Sequence, residues 1–245
     1  MPNPGVPVCD ARDTVAMAEV FFREGCVRIP NVLTVDEIAA LRAKTDQFAL
    51  NPDRSSRHSS WAGTAFVLRQ CEEIGSPFSE MMTHPLIVPI AEAVLGPGAV
   101  FNAMNVIRNE PGQAISNWHV DDVLEFPLPP DVPRFDARIR MPVFWMTVQV
   151  ALSDIDTIEH GPTQYVPCSH YSGRTPKQVP ELVFEAHGPQ EVLCKAGDIY
   201  LTNHQTWHRG APNLSDRVRY VMQVQYAQRW ADRRFGERHK NLMGQ

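Results

Sequence analysis

The stretch Asn117-Trp118-His119-Val120-Asp121-Asp122 places an imidazole and a carboxylate two residues apart. On an extended strand, alternate residues share a face. His119 and Asp121 would then project together, about 7 Å apart along the chain at twice the ~3.3 Å rise. Taken alone, His-x-Asp is a weak signal and reads more often as a surface pair. A second imidazole, His208, follows far downstream, after the turn and apolar run Gly197-Asp198-Ile199-Tyr200-Leu201-Thr202. Two histidines and one carboxylate make a facial set on an octahedral ferrous ion and leave about three positions open. Two open positions suit a chelating co-substrate and one suits O2. A closed zinc site would need four ligands, usually thiolates. Cys9, Cys26, Cys71, Cys168 and Cys194 are scattered, with no CxxC.

Arg219 lies eleven residues after His208, beyond the turn Gly210-Ala211-Pro212-Asn213. It can return to the same pocket, where a guanidinium fork would bind the far carboxylate of a dicarboxylate in a bidentate way. Arg217, at period two on the same strand, is its rival. Gln149 is polar within the apolar run Val143 to Leu152. A buried unpaired amide costs about 1–3 kcal/mol, so Gln149 is expected to face the pocket and contact the co-substrate. Asn105, on the strand before the His-x-Asp, is a further co-substrate candidate. Asp122 reads as a neighbouring acid rather than a ligand, His204 as a loop residue, Trp118 as packing. His160 and His170 flank turns and read as solvated or locally bonded.

The elements that must position these residues change period part-way along the chain. Thr14 to Glu24 has helical apolar spacing and stops at Gly25. Cys26 to Ile29 is a short strand candidate. Thr34 and Glu37 have the spacing of a capping box opening a helix to about Leu50. Asn51 to Thr64 is polar and reads as a loop. Ser79 to Leu95 reads as a helix kinked or split at Pro85 and Pro89. After Ala99, seven short runs rich in β-formers follow, separated by Gly, Pro, Asn or Asp. They are 99–109, 115–124, 143–152, 164–167, 190–194, 198–202 and 218–227. Glu125 to Pro142, with five prolines, reads as a long loop. Arg134, Arg138 and Arg140 on it could meet an acidic group or simply be solvated. Helices first and strands after, without alternation, mean an α+β fold, a β-barrel or sandwich under a helical cover. The expectation is one domain over 1–245: helical cover about 13–97, β core about 99–228, and a C-terminal helix about 230–242.

The balance of 28 acidic against 23 basic residues gives a net charge of −5 and offers no basic stripe for nucleic acid, nor a basic face for a membrane. The N-terminal residues carry no signal-peptide pattern, and the widely spaced cysteines read as reduced thiols. The expected setting is cytoplasmic, with a small molecule as partner.

These residues together resemble the phytanoyl-CoA dioxygenase-like branch of the Fe(II)/2-oxoglutarate-dependent oxygenases. The resemblance rests on Phe22-Arg23-Glu24-Gly25-Cys26-Val27-Arg28-Ile29-Pro30, on His119-Val120-Asp121, on Gly161-Pro162 with Val166-Pro167-Cys168-Ser169-His170, and on His208 to Arg219 with Asn213 and Ser215 between. It spans about Val20 to Ala227. It implies a double-stranded β-helix (jelly-roll, cupin-like) core, Fe(II) held by His119, Asp121 and His208, and the 2-oxoglutarate C5 carboxylate held by Arg219. It also implies use of O2, with release of succinate and CO2, in the hydroxylation or related oxidation of a small metabolite such as a natural-product intermediate. Related enzymes halogenate where the carboxylate ligand is replaced by a small residue; Asp121 is present here. Two positions depart from the pattern. Gly210 stands where members often carry Ser, and Gln149 where that strand often carries Trp. The alternative is a non-redox cupin-like barrel, either a metal-dependent isomerase or hydrolase or a binding module, which needs neither Arg219 nor 2-oxoglutarate.

Overall fold

The computed structural model describes residues 5–51, 57–62, 65–112, 117–121 and 123–231. Asp122 and most of the expected C-terminal helix lie outside them.

The helical cover begins with α1 (Thr14–Glu24), whose first turn is capped by the Asp13 carboxylate accepting from the Ala16 amide. It ends at Gly25, whose φ of 78° is left-handed. A side chain there is excluded twice over. A Cβ would lie 2.6 Å from His170 Nδ1 and closer still to Thr206 Oγ1. Strand β1 (Cys26–Ile29) follows, then α2 (Val35–Ala49) with both halves of the Thr34/Glu37 capping box formed. The polar stretch expected as a loop instead carries β2 (Ser59–Ala62), which pairs antiparallel with β3 (Ala65–Arg69). β2 forms the edge of the sheet, and β3 lies inside it with Ala65, Phe66 and Leu68 buried. The helix expected over Ser79 to Leu95 is split into α3 (Phe78–Met81) and α4 (Ile87–Leu95). Pro89 sits in the first turn of α4, where its missing amide costs nothing, so the break falls at Pro85.

The core strands are β4 (Val100–Asn109), β5 (Trp145–Ala151), β6 (Thr163–Tyr165), β7 (Gln190–Val192), β8 (Ile199–Asn203), β9 (His208–Gly210) and β10 (Arg219–Ala227). A seven-stranded antiparallel sheet runs β1-β8-β5-β10-β4-β3-β2, and a three-stranded sheet runs β7-β6-β9. Strand alternation divides the large sheet cleanly. Met146, Val148, Val150, Leu201, Met222 and Val224 point to one face and share a core with Met17 and Phe21 of α1 and Ile87 and Ile90 of α4. The opposite face looks at the small sheet, and there the polar residues of β5 and β10 gather. The run 115–124 is not a regular strand among its described residues. His119 makes only an isolated antiparallel bridge to His208. Glu125 to Pro142 has no helix or strand, as expected. Arg174 holds it by donating to the carbonyls of Pro129, Pro130, Val132 and Pro133. No helix among the described residues is long and apolar enough to cross a membrane.

Candidate active site

His119 and Asp121 are positioned by backbone pairing to the segment that carries His208. The His119 amide donates to the His208 carbonyl at 3.0 Å, and the His208 amide returns the bond at 3.0 Å. Two residues on, the Asp121 amide donates to the His204 carbonyl at 2.8 Å. The three side chains therefore meet although one segment is irregular. Asp121 Oδ1 lies 3.5 Å from His119 Nε2 and 3.4 Å from His208 Nε2. One ligand atom from each residue falls within 4.8 Å of the others, close enough to hold one metal ion.

The tautomers are set by the backbone. His119 Nδ1 is 2.6 Å from the Asn117 carbonyl, and His208 Nδ1 is 2.8 Å from the Thr206 carbonyl. A carbonyl only accepts, so each Nδ1 carries the proton and each Nε2 turns a lone pair toward Asp121. Burial would raise the Asp121 carboxyl, but His208 and then His119 hold it well below the usual range. Burial opposes charging His208, yet the Asp121 charge raises its pKa. In the protein alone this triad is an anion between two imidazoles, the electrostatics a divalent cation would take over. The donor set, two neutral nitrogens and one anionic oxygen with no thiolate, suits ferrous iron.

The cavity at the triad has a volume of about 220 Å³. It is also lined by Thr147 and Gln149 of β5, by Thr163 and Gly210 of the small sheet, and by Arg219, Val221, Gln223 and Gln225 of β10. Arg219 is 4% exposed, and its Nε and Nη1 meet no partner. Burial pushes its pKa down against the opposing Tyr200 hydroxyl, and among the described residues no carboxylate stands beside it to compensate. Such an unpaired buried cation is costly, and a ligand carboxylate would relieve it. Asn109 is a residue that sequence reasoning missed. It pairs directly with Arg219 across the β4–β10 register, is fully buried, and has both side-chain polar atoms unpartnered. Only its position at the end of a strand candidate could have marked it.

Gln149 lines the cavity. Asn105 does not; its Oδ1 accepts the Gln70 amide at 3.4 Å. Arg217 precedes β10, is half exposed, and reaches His160 and Asp156 rather than the cavity. His204 lies in the turn after β8 but is not solvated: its Nε2 is 2.8 Å from Glu125 Oε2, and both side chains are almost wholly buried. His170 corrects the local reading. It is buried, and its Nε2 bonds the Phe22 carbonyl at 2.9 Å, 148 residues away. Trp118 packs beside Val120, under the Arg209 guanidinium. Arg134, Arg138 and Arg140 line a separate groove of about 480 Å³ that shares no residue with the metal cavity. There Arg134 pairs with Glu185 and Arg138 with Asp136.

The family model described as phytanoyl-CoA dioxygenase matches residues 21–221. The chain belongs to the phytanoyl-CoA dioxygenase family. Members of this family use Fe(II), 2-oxoglutarate and O2. Among similar solved structures is the non-haem alpha-ketoglutarate-dependent epimerase SnoN from nogalamycin biosynthesis. It is 21% identical with a TM-score of 0.69, over 89% of this chain and 83% of SnoN. The carbocyclase SnoK of the same biosynthesis is 23% identical with a TM-score of 0.63, over 91% and 87%. HygX from Streptomyces hygroscopicus, solved with nickel, 2-oxoglutarate and hygromycin B, is 15% identical with a TM-score of 0.67, over 86% of each chain. At these identities the shared property is the fold, a cupin-like jelly-roll core.

Proposed function

We propose that this phytanoyl-CoA dioxygenase family member is an Fe(II)- and 2-oxoglutarate-dependent oxygenase. It hydroxylates or otherwise oxidises a small-molecule metabolite, a natural-product intermediate, and releases succinate and CO2. The carrying observation is that the three ligand atoms and an unpaired buried guanidinium open into one cavity. His119, Asp121 and His208 would hold the iron. Bound there, iron supplies O2 activation coupled to oxidative decarboxylation of the co-substrate. Arg219 binds the C5 carboxylate of 2-oxoglutarate, and Gln149 lines the same cavity from β5. The backbone carbonyls of Asn117 and Thr206 keep both imidazoles in the ligating tautomer. The chain 1–245 acts as one catalytic domain, since helices and strands share one core. Its five free cysteines suit a reducing cytoplasmic setting. SnoN and SnoK are named as an epimerase and a carbocyclase, so the fold carries outcomes other than hydroxylation.

The test is the weak visible absorption band of an anaerobic Fe(II)–2-oxoglutarate complex, expected in the wild type and lost in Arg219→Ala. Succinate release on admitting O2 with candidate metabolites then reads turnover. A wild type without the band sinks the proposal.

A further inference from the structure

The cavity face of the large sheet is graded along β10. Arg219 stands at one end and Val221 follows, with Ile107 and Ala151 as its cross-strand partners. Next comes Gln223 opposite Gln149, then Gln225 opposite Thr147. At ~3.4 Å rise per residue, Gln223 lies about 14 Å and Gln225 about 20 Å along the strand from Arg219. A five-carbon dicarboxylate, with four C–C bonds of about 1.5 Å each, spans only about 5 Å. Anchored at Arg219, it cannot occupy the far end of this row.

That far end is polar, with Gln223 and Gln225 half-buried. The side chains of Thr147, Gln223 and Gln225 line the cavity and meet no hydrogen-bond partner among the described residues. Thr147 sits on β5, which is buried on both faces, a setting in which a hydroxyl is retained at a cost unless it is bonded. The β10–β4 register shifts between Gln225 and Tyr226, the kind of irregularity that re-aims a side chain next to a site. Beyond the triad, the cavity's charged groups are Arg219 and Arg209. Arg209 is bonded to Gln164 Oε1 at 2.7 Å and stacked on Trp118. Among the described residues, no carboxylate other than Asp121, and no lysine, lines it.

We propose that Thr147, Gln223 and Gln225 are the substrate-recognition row of this enzyme. They select an uncharged, hydroxyl-rich molecule, a glycoside or polyhydroxylated ring system, rather than an acyl thioester, a fatty acid or a polyamine. A carboxamide both donates and accepts, as a hydroxyl does, and Gln223 and Gln225 present two such groups about 7 Å apart on one face. A site built this way discriminates by hydrogen bonding, because an analogue without the matching groups leaves half-buried amides unpaired in the complex. The inference rests on the oxygenase reading, which fixes Arg219 as the co-substrate end.

The experiment uses protein loaded with Fe(II) and 2-oxoglutarate under nitrogen. Probes are sucrose, a flavonoid glucoside, decanoate, spermidine and a medium-chain acyl-CoA. Binding is read by saturation-transfer NMR, and 2-oxoglutarate affinity is titrated separately. The hydroxylated probes should bind in preference to the charged ones. Gln223→Leu and Gln225→Leu should each weaken them about tenfold, an effect of ~1.4 kcal/mol, while 2-oxoglutarate affinity holds. Gln225→Glu, close to isosteric, should move preference toward spermidine and guards against misfolding of the leucine variants. Preference for a charged probe in the wild type, absence of binding by any hydroxylated probe, or binding that ignores all three substitutions overturns the proposal. Failure of the wild type to bind 2-oxoglutarate overturns the oxygenase reading instead.

Discussion

Arg219 is a charge the fold buries without a partner, so its replacement should act in opposite directions with and without co-substrate. In Arg219→Met an apolar chain of similar length replaces a guanidinium that is 4% exposed, with two nitrogens unbonded. Removing an uncompensated buried polar group relieves about 1–3 kcal/mol. For a chain of this size, 1 kcal/mol moves Tm by roughly 2–4 °C. The variant without 2-oxoglutarate should therefore melt above the wild type by about 2–12 °C. With 2-oxoglutarate at 100 times its wild-type Kd, the wild type gains about 2.7 kcal/mol and rises by roughly 5–11 °C. The variant loses a charge-assisted bidentate contact worth about 3–5 kcal/mol, a weakening on the order of 100- to 4000-fold. The same concentration should then shift it by about 1 °C or less. Thermal melts of the metal-loaded proteins, with and without co-substrate under nitrogen, read both effects. A variant that melts below the wild type without co-substrate, yet keeps the full ligand shift, would refute the assignment of Arg219 as an unpaired anchor awaiting a carboxylate.

Asn109 stands beside Arg219 in register with a buried unpartnered amide. Asn109→Ala should weaken 2-oxoglutarate binding about tenfold, the loss of one hydrogen bond to a charged group, as read by calorimetry, and leave metal binding intact. His170 is held neutral, burial pushing its pKa down to about 4. Between pH 6.5 and 4 the unfolded chain binds the proton and the folded one does not, so stability falls as pH drops through that window, by up to about 3 kcal/mol. Denaturant melts of His170→Gln should be weaker at pH 7 by ~1 kcal/mol and flatter toward pH 4; an unchanged slope counts against it. Gly25→Ala must push Thr206 and His170 aside. It should destabilise by at least ~1 kcal/mol, and because the Thr206 carbonyl orients His208, it should also weaken metal binding in a cobalt titration.

What the sequence made legible was what depends on local chemistry. The Thr34/Glu37 capping box, the stop at Gly25 and the break at Pro85 all follow from backbone rules that act within one turn. The site candidates were legible because His, Asp and Arg are costly to bury without a role. Strand β2 was not legible, because a sheet edge tolerates polar residues, and β3, apolar from Ala65 to Leu68, is placed by pairing with the distant β4. Asn105 and Asn109 share one strand and one face, and no local pattern says which lies against Arg219. That follows from the β4–β10 register alone, in which Asn109 meets Arg219 and Asn105 meets Gln223.

His119 and Asp121 lie 3.5 Å apart although their segment is not a regular strand. Side chains replace the missing ladder. The Glu125 amide donates to Gln205 Oε1 at 2.9 Å, Gln205 Nε2 donates to the Val123 carbonyl at 3.1 Å, and His204 Nε2 meets Glu125 Oε2 at 2.8 Å. Together with the Asp121 amide on the His204 carbonyl, these ties lay residues 119–121 and 123–125 along the turn 204–208, much as an antiparallel partner would lie. A buried acid–imidazole contact adds little net stability, because desolvation offsets most of its attraction. What it does add is geometric definition, since few arrangements satisfy both groups out of water. An irregular segment that must bring a carboxylate within 3.5 Å of two imidazoles needs that definition more than it needs stability.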